Sequence, residues 1–229
     1  MKRFYEKASA AAQAGGVAIL LDGRPVKTPA RAALAVPTEE LAEAIAAEWN
    51  AQGEEIDPRT MPLTGLANAA IDRVAPDPEA FAVSLARYGE SDLLCYRAEG
   101  PAPLVRRQAE AWEPLLDWAR RRYCVALETT SGILHRAQPA ETVARLADEV
   151  AARDPFRLAA LSPLVTISGS LIVALALAEG EIGLEQAWAA ANLDEIWQAE
   201  QWGEDPLAAA AIESRRREFD AAYRFLTLL

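Results

Sequence analysis

Residues 17–28 of the chain read VAILLDGRPVKT and predict its first structural unit. The pair Asp22-Gly23 separates two runs that carry apolar residues. Asp-Gly in this position is the strongest short-range signal for a β-hairpin, because glycine tolerates the positive φ that such turns need. Pro25 cannot donate a backbone hydrogen bond, so the returning strand is predicted to lie at a sheet edge or to begin at this residue. The stretch therefore predicts an antiparallel hairpin.

Helical patterns follow the hairpin. Thr38 is predicted to cap a helix whose apolar stripe contains Leu41, Ile45 and Trp49 at a spacing of one turn. Similar apolar spacing predicts further helices over residues 63–74, 78–88, 104–123, 139–153, 162–178, 184–202 and 206–228. Short strands are predicted at residues 33–36, 92–97 and 125–130, and the last could return to the N-terminal sheet.

The order of these elements predicts the fold class α+β. A boundary near Gly100 is expected to divide the chain into an N-terminal α+β domain with β-hairpins, residues 1–100, and a C-terminal, mostly helical domain, residues 101–229. The apolar run 161–178 contains Pro163, Gly169 and several hydroxyl side chains. It is therefore interpreted as a buried helix and not as a membrane-spanning one, which needs about 20 predominantly apolar residues.

The charge of the chain restricts its partners. Its 34 acidic and 23 basic side chains give a formal net charge of −11. This sign argues against binding to nucleic acid and to an anionic membrane surface, and it leaves open a protein partner with a basic or mixed surface. The N-terminus lacks the apolar core of a secretory signal. Cys95 and Cys124 are predicted as buried thiols, with a disulfide as the alternative, which fits a reducing, cytoplasmic compartment.

Signals for catalysis are weak. His135 is the only histidine, which excludes multi-histidine metal sites and leaves one imidazole for a nucleophilic triad. It is interpreted as an incidental surface residue. The carboxylates Asp194, Glu195 and Glu200 could bind a metal or act as an acid–base pair, but the chain has no Glu-x-x-His motif of the kind used in di-metal bundles. No catalytic residue, metal or cofactor is predicted.

Residues 193–205, LDEIWQAEQWGED, combine tryptophans with carboxylates. Ile196 and Glu200 lie one helical turn apart, and tryptophan is the residue most enriched at binding hot spots. One interpretation is a partner-binding surface. The other places Trp197 and Trp202 in the core and turns the acids to water. Composition and spacing alone favour the second interpretation.

Several segments together resemble one known family along nearly the whole chain. They are residues 3–7 (RFYEK), 21–29 (LDGRPVKTP), 41–49 (LAEAIAAEW), 61–64 (MPLT), 67–72 (ANAAID), 92–97 (DLLCYR), Gln108, Trp112, 114–118 (PLLDW), 169–171 (GSL) and 193–205. In this order they resemble the F1-ATPase assembly chaperone family, whose mitochondrial members hold the unassembled α subunit before the α/β hexamer forms. The chain looks like a bacterial member of this family.

The resemblance implies a two-part fold and a non-enzymatic chaperone, without cofactor, that shields an interface of the F1 α subunit. It reverses the preference for a core helix and implies Glu200 as the functional acid. The partner-binding residues expected around it are Asp194, Glu195, Trp197, Trp202, Glu204 and Asp205. We expect a cytoplasmic monomer that neither binds nucleic acid nor inserts into a membrane. The alternatives are an acidic interaction module for a different partner and a carboxylate-based enzyme.

Overall fold

The predicted hairpin forms the centre of a small antiparallel sheet. The computed structural model describes residues 1–132, 134–203 and 206–229. In it, strand β2 (Gly16–Leu21) pairs with β3 (Arg24–Pro25) across a turn in which Asp22 and Gly23 have φ of 48° and 77°. Positive φ at both central positions is the signature of the type I′ turn that the Asp-Gly pair predicts. The hairpin is confirmed.

Two further strands complete this sheet around β2. Strand β1 (Ala8–Gln13) runs antiparallel to β2 and was not predicted, because its sequence ASAAAQ has little intrinsic preference for a strand. Strand β4 (Ala35–Val36) pairs with the other side of β2 inside the predicted range 33–36. The strand order β1-β2-β3 leaves Pro25 on an edge strand, as the missing amide hydrogen requires.

Helix α1 (Glu39–Asn50) packs its apolar stripe against the sheet. Its N-cap is Thr38, whose Oγ1 accepts a hydrogen bond from the Leu41 amide at 3.3 Å. Leu41 and Ile45 are fully buried in one cluster with side chains of β2 and of α2 (Pro62–Ala69). The cap and the stripe are both confirmed. The helix predicted to reach residue 74 continues beyond α2 as the π-helical turn Ala70–Val74.

The chain divides into two compact units that do not coincide with the boundary predicted near Gly100. Unit 1 contains Met1–Pro78, Asp154–Ala160 and Ala221–Leu229, and unit 2 contains Glu79–Arg153 and Leu161–Asp220. In unit 1, Phe156 and Phe225 stack at 6.5 Å between ring centroids and belong to the same apolar core as α1. These two late segments join unit 1 through packing that the order of elements along the chain does not reveal.

Unit 2 is built mainly from helices. The elements that contribute to it are α3 (Pro78–Ala86), β5 (Tyr96–Arg97), α4 (Ala102–Tyr123), β6 (Thr130–Ser131), α5 (Ala140–Ala151), α6 (Pro155–Ser168), α7 (Leu171–Ala178), α8 (Leu184–Ala191), α9 (Leu193–Trp202) and α10 (Pro206–Thr227). The α+β class, with hairpins early and helices late, is therefore confirmed.

Two predicted strands have different structures. The segment 92–97 begins with the 3₁₀ turn Leu93–Cys95, capped by the Asp92 carboxylate, and only its last two residues form β5. The segment 125–130 contributes Thr130 to β6, which pairs in parallel with β5 and not with the N-terminal sheet. Both segments have enough apolar residues for a strand, but side chains bind their backbones instead. Asp92 accepts from the Leu94 amide, whereas the distant Thr142 and Gln138 bind the backbone groups of Ala126 and Glu128.

Two long predicted helices are each interrupted. The run 162–178 breaks at Gly169, which has φ of 65°, and α7 restarts with Ser170 as its N-cap. All residues from 171 to 177 are buried, as predicted for this apolar run. The run 184–202 breaks at Asn192, whose φ of −111° and ψ of 23° lie outside the helical region. Within the described residues, no helix combines the length and the apolar character needed to cross a membrane.

The two cysteines lie in different environments. Cys95 is buried, as predicted, and its burial raises the pKa of the thiol to about 12. Cys124 is exposed, so its predicted burial is wrong. It caps the end of α4 in a left-handed conformation with φ of 54°, directly after Tyr123, the last buried residue of the apolar stripe. Both thiols are free, which excludes the disulfide alternative.

A fully buried carboxylate holds the start of α7. Asp92 accepts hydrogen bonds from the Ser170 hydroxyl at 2.7 Å, the Ile172 amide at 2.9 Å and the Leu94 amide at 3.0 Å. Burial raises the pKa of Asp92 from its usual 3.8 to about 6, although these donors act in the opposite direction. Folding therefore makes this group bind its proton more tightly.

This raised pKa gives a testable pH dependence. A raised folded-state pKa stabilises the fold fully below the unfolded pKa, and this contribution is lost as the pH rises through the folded pKa. Asp92→Asn removes the titration. We expect the free energy of unfolding of the wild type, relative to that of Asp92→Asn, to fall by about 2 kcal/mol between pH 4 and 6, out of about 3 kcal/mol over the full titration, since one pKa unit corresponds to about 1.4 kcal/mol. Urea unfolding at several pH values measures this difference. Parallel curves for the two proteins would contradict the account.

Candidate functional site

Helix α9, which carries most of the predicted site, is positioned by α4. The Trp112 side chain is buried, and its Nε1–H donates to the carbonyl of Ala190 at 2.9 Å. One turn earlier, the buried Gln108 donates from Nε2 to Asp194 Oδ1 at 2.8 Å and accepts from the Ala98 amide at 2.8 Å. These bonds fix the end of α8 and the first turn of α9 relative to α4.

The break between α8 and α9 sets the direction of the site helix. Asn192 is buried, and both its amide side chain and its backbone N–H donate to the carbonyl of Trp188, at 2.9 and 3.0 Å. Its own carbonyl accepts from the Ile196 amide at 2.9 Å, which begins the new helix. Helix α9 ends at Gly203, whose φ of 85° suits glycine.

Glu200 forms a two-point ion pair with Arg107 of α4. Arg107 Nη1 lies 2.6 Å from Glu200 Oε2, and Nη2 lies 2.9 Å from Oε1. This hydrogen bonding lowers the pKa of Glu200 and raises the pKa of Arg107. Both side chains are about half exposed to water, at 46% and 41%. An exposed pair of this kind contributes little to stability, because water screens the charges.

The two tryptophans of α9 have different environments. Trp197 is half-buried, and the Arg107 guanidinium carbon lies 6.0 Å from its ring centroid, at the limit of a cation–π contact. Trp202 is 79% exposed. The interpretation that places both tryptophans in the core is therefore wrong for Trp202. Leu207, at the start of α10, is 82% exposed.

The structure brings together part of the predicted site. Glu195 and Glu200 are exposed on α9, and Asp194 is half-buried with its carboxylate bound to Gln108. Glu204 and Asp205 lie outside the described residues. Arg107 was missed, because nothing in the sequence relates α4 to α9 across 93 positions. The positioning role of Gln108 could have been predicted, because it is a polar residue within the apolar stripe of an amphipathic helix.

Alternative chemistry finds little support in the described part of the chain. There, no group of three or more histidine, cysteine or acidic side chains is arranged to hold a metal ion. His135 is exposed, as expected, and its Nδ1 is hydrogen-bonded to the Tyr96 hydroxyl at 2.8 Å. The arrangement around α9 consists of an ion pair, exposed carboxylates and an exposed tryptophan. These are groups suited to binding another protein.

The sequence matches a known family over about half of its length. Residues 2–120 match the family described as ATP12 chaperone protein. Over 214 residues the chain is 30% identical to the mitochondrial protein atp12 of Schizosaccharomyces pombe, covering 88% of this chain and 74% of that protein.

Solved structures extend the similarity to almost every residue. Atp12 of Paracoccus denitrificans is 46% identical, with a TM-score of 0.95, covering 99% of this chain and 97% of the other. A point mutant of that protein, with lysine in place of an aspartate, matches equally well. A candidate chaperone from Agrobacterium tumefaciens is 44% identical, with a TM-score of 0.94, covering 99% of this chain and 85% of the other.

The hydrogen bonds of Gln108 lead to a stability prediction. Gln108→Ala leaves the Ala98 amide and the Asp194 carboxylate without this partner. We therefore expect the free energy of unfolding to fall by about 1–3 kcal/mol. Gln201→Ala, at an exposed position of α9, is the control and should change it by less than about 0.5 kcal/mol. Chemical denaturation measures both variants, and equal values for the two would contradict the positioning role of Gln108.

Proposed function

The chain belongs to the ATP12 chaperone family, and from this premise we propose that it binds the unassembled α subunit of F1 ATP synthase. Binding shields an interface of that subunit until its ring partners arrive. We choose the α subunit because the segments quoted above, which lie between residues 3 and 205, resemble those of the F1 assembly chaperones. We further propose that the protein acts as a monomer in the bacterial cytoplasm and catalyses no reaction.

The observation that carries the proposal is the exposure of Trp202 beside carboxylates. Large apolar side chains usually stabilise their own fold by being buried. Trp202 is 79% exposed and therefore contributes little to the stability of this fold. Tryptophan that is exposed in a free protein and surrounded by polar groups is typical of a binding hot spot. Glu195 and Glu200 supply the polar surroundings on the same helix.

The chemistry of the surface suits a transient complex with an assembly subunit. Subunit interfaces are large and apolar, and they aggregate when they are exposed before assembly. A chaperone must cover such a surface and release it later. Apolar side chains supply the contact area, while exposed carboxylates speed the encounter with a basic or mixed surface and oppose wrong pairings.

Co-purification tests the identity of the partner. The tagged chain is produced in cells together with the α subunit of the same organism, or with the β subunit as the comparison. We expect the α subunit to be retained and to stay soluble, and the β subunit to be absent. Retention of neither subunit by a correctly folded chain, or retention of β in place of α, would refute the proposal.

Glu200→Gln tests the proposed acid. The substitution preserves the shape of the side chain but removes its charge. Because Glu200 is exposed, we expect an unchanged melting temperature, whereas the affinity for the α subunit should fall roughly tenfold. Glu218→Gln, which removes an exposed charge from α10, is the matched control and should bind like the wild type. A Glu200→Gln protein that fails to fold would show that Glu200 is structural.

A further inference from the structure

A groove separates α9 from the beginning of α10. It has a volume of about 660 Å³. Its apolar lining includes Ile196 and Trp202 from α9 and Ala208, Ala209 and Ile212 from α10. The alanines leave a depression between the larger side chains, which is the geometry that allows a further helix to approach closely.

The far wall of the groove is held rigidly. Trp188 of α8 lines the groove and packs edge-to-face on the buried Phe219 of α10, at 5.6 Å between ring centroids. The guanidinium carbon of Arg216 in α10 lies 5.2 Å from the centroid of the Trp188 ring. Arg216 also forms ion pairs with Glu185 of α8 and Asp220 of α10. The α10 wall is therefore fixed to α8, and the groove exists before any client binds.

The rim of the groove is acidic. Glu195 and Glu200 from α9 and Glu213 from α10 all line it. No arginine or lysine is among its lining residues in the described part of the chain. Among the described residues, Arg107 of α4 is the cation that pairs with this rim, through Glu200. An apolar floor with three carboxylates at its edge complements a segment that is apolar on one face and positively charged beside it.

Arg107 occupies the position that a client cation would need. Its guanidinium uses both carboxylate oxygens of Glu200. Since the pair is exposed to water, exchanging one cation for another costs little free energy. Arg107 can therefore hold the carboxylate in place while the groove is empty and give it up when a client arrives.

We infer that the groove binds a helical client segment with one apolar face and at least one lysine or arginine, and that this cation replaces Arg107 at Glu200. The inference deepens the proposed function and rests on it, because it assigns the chemistry of the client segment at the same surface. The helix of the client lies between α9 and α10, as in other helix-in-groove complexes.

Model peptides test the groove without the α subunit. The probe is a fluorescently labelled peptide of leucine and lysine, about 14 residues long, which is near the shortest length at which an isolated helix is stable. The same sequence with glutamate in place of lysine is the comparison. We expect fluorescence anisotropy to detect binding of the lysine peptide only. Equal affinity for both peptides, or binding of neither, would overturn the inference.

A matched pair of variants locates the binding. Ala208 lines the groove and Ala210 does not, although both are exposed on α10. Ala208→Lys places a cation in the groove, so binding of the lysine peptide should weaken roughly tenfold or more. Ala210→Lys changes the net charge equally and should alter binding by less than about threefold. Equal effects would mean that the peptide binds by overall charge and not in the groove.

Arg107→Gln tests the exchange of cations. Removing Arg107 leaves Glu200 free at all times. The lysine peptide should therefore bind roughly threefold tighter, because Glu200 no longer has to separate from Arg107 before it can bind the peptide. Weaker binding would show that Arg107 contacts the client itself and would overturn the exchange.

The two proposals can fail separately. Retention of the α subunit by a wild-type chain that does not bind the lysine peptide would refute the groove and leave the proposed function standing. Peptide binding with the expected variant effects, but no retention of the α subunit, would refute the identity of the client.

Discussion

The placement of α9 against α4 is the constraint on which the candidate site depends. Trp112 and Gln108, one turn apart on α4, bind the end of α8 and the start of α9 through two hydrogen bonds. Because both side chains are buried, these bonds lack competition from water and fix the geometry firmly. A third residue of the same helix, Arg107, reaches Glu200 near the other end of α9. Buried bonds thus orient the helix, and an exposed ion pair lies near its other end.

The site combines a rigid base with groups that can exchange partners. Buried hydrogen bonds are costly to break, whereas an exposed ion pair is not. This division suits a chaperone, which must present a defined surface and later release what it has bound. The net charge of −11 opposes association of the chain with itself, so an exposed Trp202 and Leu207 can be tolerated on the free protein.

The sequence was sufficient for the features that depend on local chemistry. The Asp22-Gly23 turn, the Thr38 cap and the buried stripe of α1 all follow from neighbouring residues, and the structure confirms them. Strand β1 could not be predicted, because alanine has little preference for a strand and pairing with β2 decides its conformation. The same applies to residues 154–160 and 221–229, which join unit 1 by long-range packing.

The site was only partly predictable for the same reason. Glu195, Glu200 and Trp202 could be chosen from composition together with the family resemblance, and the exposure of Trp202 corrects its placement in the core. The break at Asn192 was missed because apolar spacing continues through it, whereas two hydrogen bonds to Trp188 end the helix there. The roles of Arg107 and of the α10 wall of the groove can be recognised only from the tertiary structure, because they depend on contacts between distant parts of the chain.

Amide hydrogen exchange of the chain with and without purified, unassembled F1 α subunit tests the central claim most directly. The claim is that the client covers α9 and the start of α10. The account predicts slower exchange in the bound chain over residues 193–203 and 206–213. It also predicts slower exchange in the part of α4 around Arg107. Protection confined to other parts of the chain, with unchanged exchange in α9, would contradict it.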